Sequence, residues 1–343
     1  MEKIRPNYLD YAKVITMFLV IYGHYIPFFG LEMGDNNMWH SVHIINLFHM
    51  PLFFLISGIL YKDLSFKDFV NKAKVQLVIP YFAIGIITMI VGMALLWYTG
   101  EFAYKKIALN IIGLFTGGDA YGYGRLYFQG PLWFCYALII IKTLACLSLN
   151  GRRLTIGCGI ISFLSIFVLY KGNIFPFRLD SALVGMLFFM FGYYCKEFFS
   201  RFSSFSVWQL TLIGICGLLL LTLEIFFNVN IHISQVLSIN ALYFGKYPLL
   251  FIVGALGGIL FIFMISQLLS KYKLKIICEL SNGMIVVLGF QMIFFKIIKL
   301  FIQPTYNFVM ALFYSLIVYF LCYLVILLSG KYFPFLLGNR KLS

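Results

Sequence analysis

The stretch "YPLLFIVGALGGILFIFMISQLL" (247–269) runs without a single charged side chain. A helix on the surface of a soluble protein needs a polar face, and this segment offers none. About 20 apolar residues at 1.5 Å each cover the roughly 30 Å of a bilayer's hydrocarbon core, so 247–269 reads as a transmembrane helix. The same signature recurs along the chain, near 9–29, 42–61, 76–98, 131–149, 154–170, 180–196, 207–227, 280–301 and 307–329. The composition agrees: of 343 residues 62% are hydrophobic and 11% charged, with a mean hydropathy of +0.95. Soluble domains carry about 25% charged residues, and a globular core of this length cannot hide so much apolar side chain. The sequence therefore predicts an all-α, polytopic helical bundle of about ten transmembrane helices, with residues 1–343 forming one transmembrane domain.

The first segment carries Asp10, Lys13 and His24, and no small-residue cleavage site follows. It reads as a retained span rather than a removed leader. The longest gap, 99–130, holds "AYKKIALNIIGLF", an interfacial helix, and then the Gly/Tyr-rich loop "GGDAYGYGRLYFQG". With the N-terminus in the cytoplasm, 16 Lys and Arg fall on inner segments and 6 on outer ones, while Lys13, Lys142, Lys296 and Lys299 lie within spans. The positive-inside rule then places both termini in the cytoplasm. The net charge of +14 follows from those inner loops; no basic run resembles a nucleic-acid arm, so no nucleic-acid partner is expected. The seven cysteines show no paired or metal-binding spacing and read as inert buried thiols.

Ionisable groups inside spans are costly and mark functional sites. Asp10 and Lys13 are helix neighbours. His24 follows Lys13 by eleven residues, about 20° past three full turns, so both share a face, with a rise of about 16 Å between them. The second span opens with His43 and His49 and carries Ser57 and Gly58 further along. Histidine suits proton transfer near neutral pH. A zinc site among His40, His43 and His49 would need further ligands, and none stands at close spacing, so no metal is expected.

The pattern Lys13-x10-His24, "FHMPLFFLISG" (48–58), "KAKVQLVIPY" (72–81), "GPLWF" (130–134) and "PFRLDSALVGMLFFMFGYYCK" (176–196) resembles acyltransferase family 3, the bacterial inner-membrane O-acyltransferases. The fucose 4-O-acetylase-like subgroup is the most similar. The resemblance extends from about residue 5 to 300. It implies a multi-pass enzyme of the bacterial plasma membrane in which the basic-x10-His motif falls on Lys13 and His24, with His24 catalytic. The "FFxxSG" motif falls on Phe53, Phe54, Ser57 and Gly58. Lys72 and Lys74 stand where a basic pair is associated with the acyl-CoA donor. Trp133 and Asp180 match the "LWF" and "LD" positions. Two departures stand out: Lys-Ala-Lys replaces an Arg-x-x-Arg, losing the bidentate fork, and "SNGMIVVLGFQM" (281–292) has Gln291 where a histidine is usual.

The implied chemistry is transfer of an acetyl or other acyl group from cytoplasmic acetyl-CoA, a co-substrate rather than a permanently bound cofactor. The acceptor would be a hydroxyl of a cell-envelope glycan or lipid-linked sugar. Such a reaction needs a base at the alcohol and charge stabilisation at the carbonyl. His24 is the expected base, with Lys13 and Ser57 beside it and Lys13, Lys72 and Lys74 on the donor phosphates. His49, Trp133, Asp180, Tyr121, Tyr123 and Arg125 are expected to face the acceptor. A direct transfer and an acyl-imidazole intermediate both remain open. Tyr121, Tyr123 and Tyr127 equally suit headgroup anchoring. The competing class is a transporter or flippase of a glycan or lipid-linked sugar, whose mark would be paired halves with broken helices; no such pairing is visible in the sequence.

Overall fold

The computed structural model describes residues 6–29, 37–118, 125–149, 151–169, 175–228, 237–302 and 307–339. Each predicted span falls on a helix: α1 (Asn7–Phe28), α2 (Asn37–Ile59), α4 (Ile79–Tyr98), α6 (Trp133–Ser148), α7 (Arg152–Leu169), α8 (Leu179–Tyr194), α10 (Val207–Asn228), α11 (Pro248–Leu269), α13 (Met284–Phe301) and α14 (Phe308–Tyr332). Shorter helices stand between them: α3 (Phe66–Ala73), the predicted interfacial α5 (Tyr104–Thr116), α9 (Lys196–Arg201) and α12 (Lys275–Asn282). The only strand-like pairing among the described residues is a bridge between Ser238 and Tyr243.

Among the described residues seven helices are long and apolar enough to cross a membrane, or eight if Leu179–Tyr194 and Lys196–Ser204, bent by 59°, form one span. The chain is a polytopic helical bundle. Helix α7 falls short by length. Helix α1 falls short because Asn7, Asp10, Lys13 and His24 interrupt its apolar run. Its surroundings explain why that is tolerated: α2, α11, α12, α13 and α14 all pack against α1, so few of its side chains meet lipid. The outer helices show the reverse. Ile156, Ile160, Leu164 and Val168 on α7, and Leu212, Ile215 and Leu219 on α10, are exposed, as lipid-facing residues must be.

Close backbone approach fixes the interior. A Cβ on Gly58 of α2 would fall 1.9 Å from the Phe189 carbonyl oxygen of α8, and one on Gly192 would fall 2.1 Å from the Leu55 carbonyl oxygen. Only glycine lets these two helices meet so closely.

Helices α3 and α4 are continuous over Phe66–Tyr98, joined by a π-helical turn at Lys74–Val78. Ser65 caps the start, its Oγ accepting from Asp68 N–H at 3.2 Å. The π turn has a cause in sequence. Pro80 has no N–H to give the Gln76 carbonyl, and its ring crowds that turn; widening it relieves both. The predicted span at 280–301 is interrupted at Gly283, which separates α12 from α13. After α14 the chain turns back through a 3-10 turn, Pro334–Leu337. Gly338 follows at φ 64°, and a Cβ there would lie 2.8 Å from Gln76 Cα, so the C-terminal turn packs directly on the π stretch.

Candidate active site

A cavity of about 330 Å³ opens between these elements. Lys13 of α1, Lys72 of α3 and Lys142 of α6 line it with Lys62, from the turn after α2, while Ser57 and Ser281 add hydroxyls. No carboxylate is on the lining. Asp63 accepts from the Tyr193 hydroxyl at 2.9 Å and Asp68 from Ser65 Oγ at 2.6 Å, while Asp10 accepts from Ser281 Oγ, itself on the lining. Four lysines on one lining suit an anion.

The lining residues of three helices give the cavity a direction. On α2 they run from Leu60 to Phe53, on α6 from Lys142 to Phe134, and on α13 from Met284 to Leu288. The lysines gather at one end, while Phe53, Phe134 and Leu288 close the other. The Phe53 and Phe134 rings are 5.8 Å apart. Beyond that apolar end lies a polar level. Gln291 follows Leu288 by three residues, about 4.5 Å along α13, and the Nδ1 of His24 sits 3.1 Å from its Oε1. His49 lies one turn from Phe53 along α2; it is buried, and its Nδ1 is 2.8 Å from the Ile45 carbonyl oxygen.

The amide of Gln291 is fully buried. Its Oε1 can only accept, so His24 Nδ1 is the donor in this contact, and in the neutral imidazole Nε2 then holds the lone pair. Among the described residues the Gln291 Nε2 has no hydrogen-bond partner.

Lys13, Ser57 and Lys72 thus share one cavity, and His24 lies on the same helix as Lys13 about 16 Å further along. Lys74 does not join them. It is exposed, begins the π turn, and is absent from the lining, where Lys62 and Lys142 stand instead. The acceptor-side expectations divide. Trp133 is buried, with the Arg178 guanidinium 5.5 Å from its ring centroid. Asp180 is buried and both its oxygens accept from Phe175 N–H at 3.0 Å, so it shapes the turn into α8. Arg125 is exposed, its N–H donating to the Leu109 carbonyl at 2.9 Å. Tyr121 and Tyr123 lie outside the described residues. Among the described residues no three His, Cys, Asp or Glu side chains gather as metal ligands.

Sequence reasoning missed Arg178. Its Nε donates to the Gly117 carbonyl at 3.0 Å, one terminal nitrogen to Asn240 Oδ1 at 2.9 Å, and the other to Gly118 O. It thus joins three loops. Phe177 and Arg178 adopt left-handed φ values of 59° and 56°, a conformation costly for side chains other than glycine. Gln291 was visible only as a departure from the expected histidine, and Lys142 only as a charge in a span.

Comparison with known proteins agrees with this architecture. The acyltransferase domain family matches residues 7–331, and the chain belongs to that family. Nodulation protein NolL of Mesorhizobium japonicum is 28% identical over 198 residues, covering 55% of this chain and 46% of that protein. The chain therefore aligns with less than half of that relative's length. No solved structure matches. Family and architecture together are those of a multi-pass membrane protein carrying an acyltransferase domain.

Proposed function

We propose that the protein transfers an acetyl group from acetyl-CoA to a hydroxyl of a cell-envelope glycan or lipid-linked sugar, in a bacterial plasma membrane, through about ten spans with both termini in the cytoplasm. The observation that carries this reading is the cavity lined by four lysines, leading towards the His24–Gln291 pair. The phosphates of the donor nucleotide are polyanionic and need cations on the cytoplasmic side. Lys13, Lys62, Lys72 and Lys142 supply them, and the inner loops carry the excess of positive charge.

The donor's thioester arm then runs past Lys13 towards the imidazole. The acceptor enters from the opposite side, with the loop bearing Tyr121, Tyr123 and Arg125 towards it. His24 Nε2 takes the proton of the acceptor hydroxyl as its oxygen attacks the thioester carbonyl. The C–S bond breaks, the ester C–O bond forms, and the proton passes from His24 to the departing thiolate. Among the described residues one bent helix pair occurs without a matching broken pair, so the transporter reading gains no support.

The test uses membranes containing the full chain, incubated with acetyl-CoA labelled in the acetyl group. Label is expected in the glycan or lipid-linked sugar fraction and is released by mild base, as an ester requires. No transfer above membranes lacking the protein would overturn the reading.

A further inference from the structure

We propose that Gln291 is itself a catalytic residue, donating its Nε2–H to the carbonyl oxygen of the acyl group as negative charge develops there. The inference rests on the acyl-transfer reading above and adds the group that reading leaves unnamed.

Three observations meet at this side chain. Its Oε1 lies 3.1 Å from His24 Nδ1, an arrangement that suits the tautomer with the proton on Nδ1. Its Nε2 is buried and has no hydrogen-bond partner among the described residues. A buried amide nitrogen left unpaired costs about 1–3 kcal/mol, and nearly all such groups are satisfied in folded proteins. An orphan donor beside an imidazole is therefore explained most economically by a ligand that supplies the missing acceptor. The third observation is position. Gln291 stands one turn beyond Leu288, the last α13 residue on the cavity lining, in the direction that leads away from the lysine end.

The site is also of the right electrical kind. Gln291 shows no solvent exposure, and Phe295 one turn further along α13 is fully buried as well. In such surroundings a fixed donor acts far more strongly than in water and needs no reorganisation during the reaction. One amide thus serves both halves of the chemistry: its oxygen holds His24 in the tautomer that leaves Nε2 as base, and its nitrogen receives the oxyanion. The tetrahedral centre carries the oxyanion and the attacking oxygen as neighbours, so the two contacts can be made at once.

Two substitutions separate this role from mere orientation of His24. Gln291→Glu keeps an oxygen that accepts from His24 Nδ1–H but presents no N–H and adds negative charge. Gln291→Met removes both functions at similar volume. The full chain in detergent micelles is assayed with acetyl-CoA and acceptor at pH 8, and kcat is expressed per donor-binding site, counted by equilibrium binding of labelled acetyl-CoA, so misfolded protein does not enter the rate. The expected result is a fall in kcat of about 10²–10³ in both variants, the usual loss of one oxyanion donor, with the KM for acetyl-CoA changed little. The Gln291→Glu rate is expected to recover partly as the pH is lowered, when a protonated carboxyl can donate in place of the amide. A Gln291→Glu variant within threefold of wild type would overturn the proposal and leave Gln291 a positioning residue. A Gln291→Met variant within threefold would overturn it too. Wild-type protein that transfers nothing from acetyl-CoA would sink the donor reading beneath it, and the oxyanion role with it.

Discussion

Phe28 stacks on Phe295 at 5.6 Å between ring centroids, 28° from parallel. The contact lies one helical turn beyond His24 on α1 and one turn beyond Gln291 on α13, so the two helices run in parallel with matched register. Tyr25 and Phe29 close on Phe295 as well, at 6.2 and 6.1 Å. These rings form an aromatic plug one turn beyond the imidazole.

A plug of this kind keeps water from the thioester. Replacing Phe295 with Ala is expected to raise the hydrolysis of acetyl-CoA without acceptor by about tenfold, because water exclusion is what suppresses that side reaction. Release of free thiol, followed in the absence of acceptor, measures it. A hydrolysis rate equal to wild type would show that the plug has no such role.

The lysines divide by exposure. Lys13 and Lys142 are half-buried, whereas Lys62, Lys72 and Lys74 are exposed. Screened surface charges contribute about 0.2–1 kcal/mol each, and charge-assisted bonds away from water about 1.5–3 kcal/mol. Lys13→Ala and Lys142→Ala are therefore expected to raise the KM for acetyl-CoA by about tenfold or more, and Lys62→Ala and Lys72→Ala by about two- to fivefold. Lys74→Ala should do least, since Lys74 lies off the lining. The acceptor KM should stay unchanged throughout, because only uniform donor binding is removed. Steady-state kinetics with each substrate varied in turn gives the answer, and a larger effect at Lys74 than at Lys142 would refute the assignment of the cavity.

Gly58 carries a packing constraint unrelated to chemistry. A methyl group there would lie 1.9 Å from the Phe189 carbonyl oxygen, and backbone cannot rotate away as a side chain can. Gly58→Ala is expected to destabilise the bundle by at least about 1–3 kcal/mol, the usual cost of overpacking, seen as a lower thermal midpoint in micelles. An unchanged midpoint would contradict the close approach of α2 and α8.

Arg178 sits at φ 56° and bonds loops on either side. Losing its bonds costs the same in Arg178→Ala and Arg178→Gly, but only glycine accepts the left-handed backbone freely. The Gly variant should be the more stable by about 1 kcal/mol. Thermal unfolding of the pair decides the matter: an Ala variant as stable as Gly would mean that the strained conformation is not maintained in the protein.

How much of this was legible in the sequence depends on the range of the interaction concerned. Uncharged runs such as 247–269 disclose helices because the bilayer demands a length of apolar chain, a purely local property. The helical phase of Lys13 and His24 was legible for the same reason, since both ride on one helix. The partners of those residues were not. Nothing local shows that Gln291 meets His24 across 267 positions, or that Lys62 and Lys142 converge on Lys13, because convergence is set by how helices pack. The break at Gly283 and the π turn ahead of Pro80 were signalled by a single glycine and a single proline, too little to mark against an otherwise apolar run. The roles of Trp133 and Asp180 were inferred from motif position alone. Their surroundings show one covered by Arg178 and the other committed to the turn before α8.

The central claim is that His24 is the base at the end of an anion-binding cavity, and His24→Ala addresses it most directly. Transfer of labelled acetyl from acetyl-CoA to the acceptor should fall by about 10²–10⁴, the usual contribution of a positioned base, while equilibrium binding of acetyl-CoA through the lysines persists. Acetyl transfer by His24→Ala at or near the wild-type rate, with donor binding intact, would contradict the account.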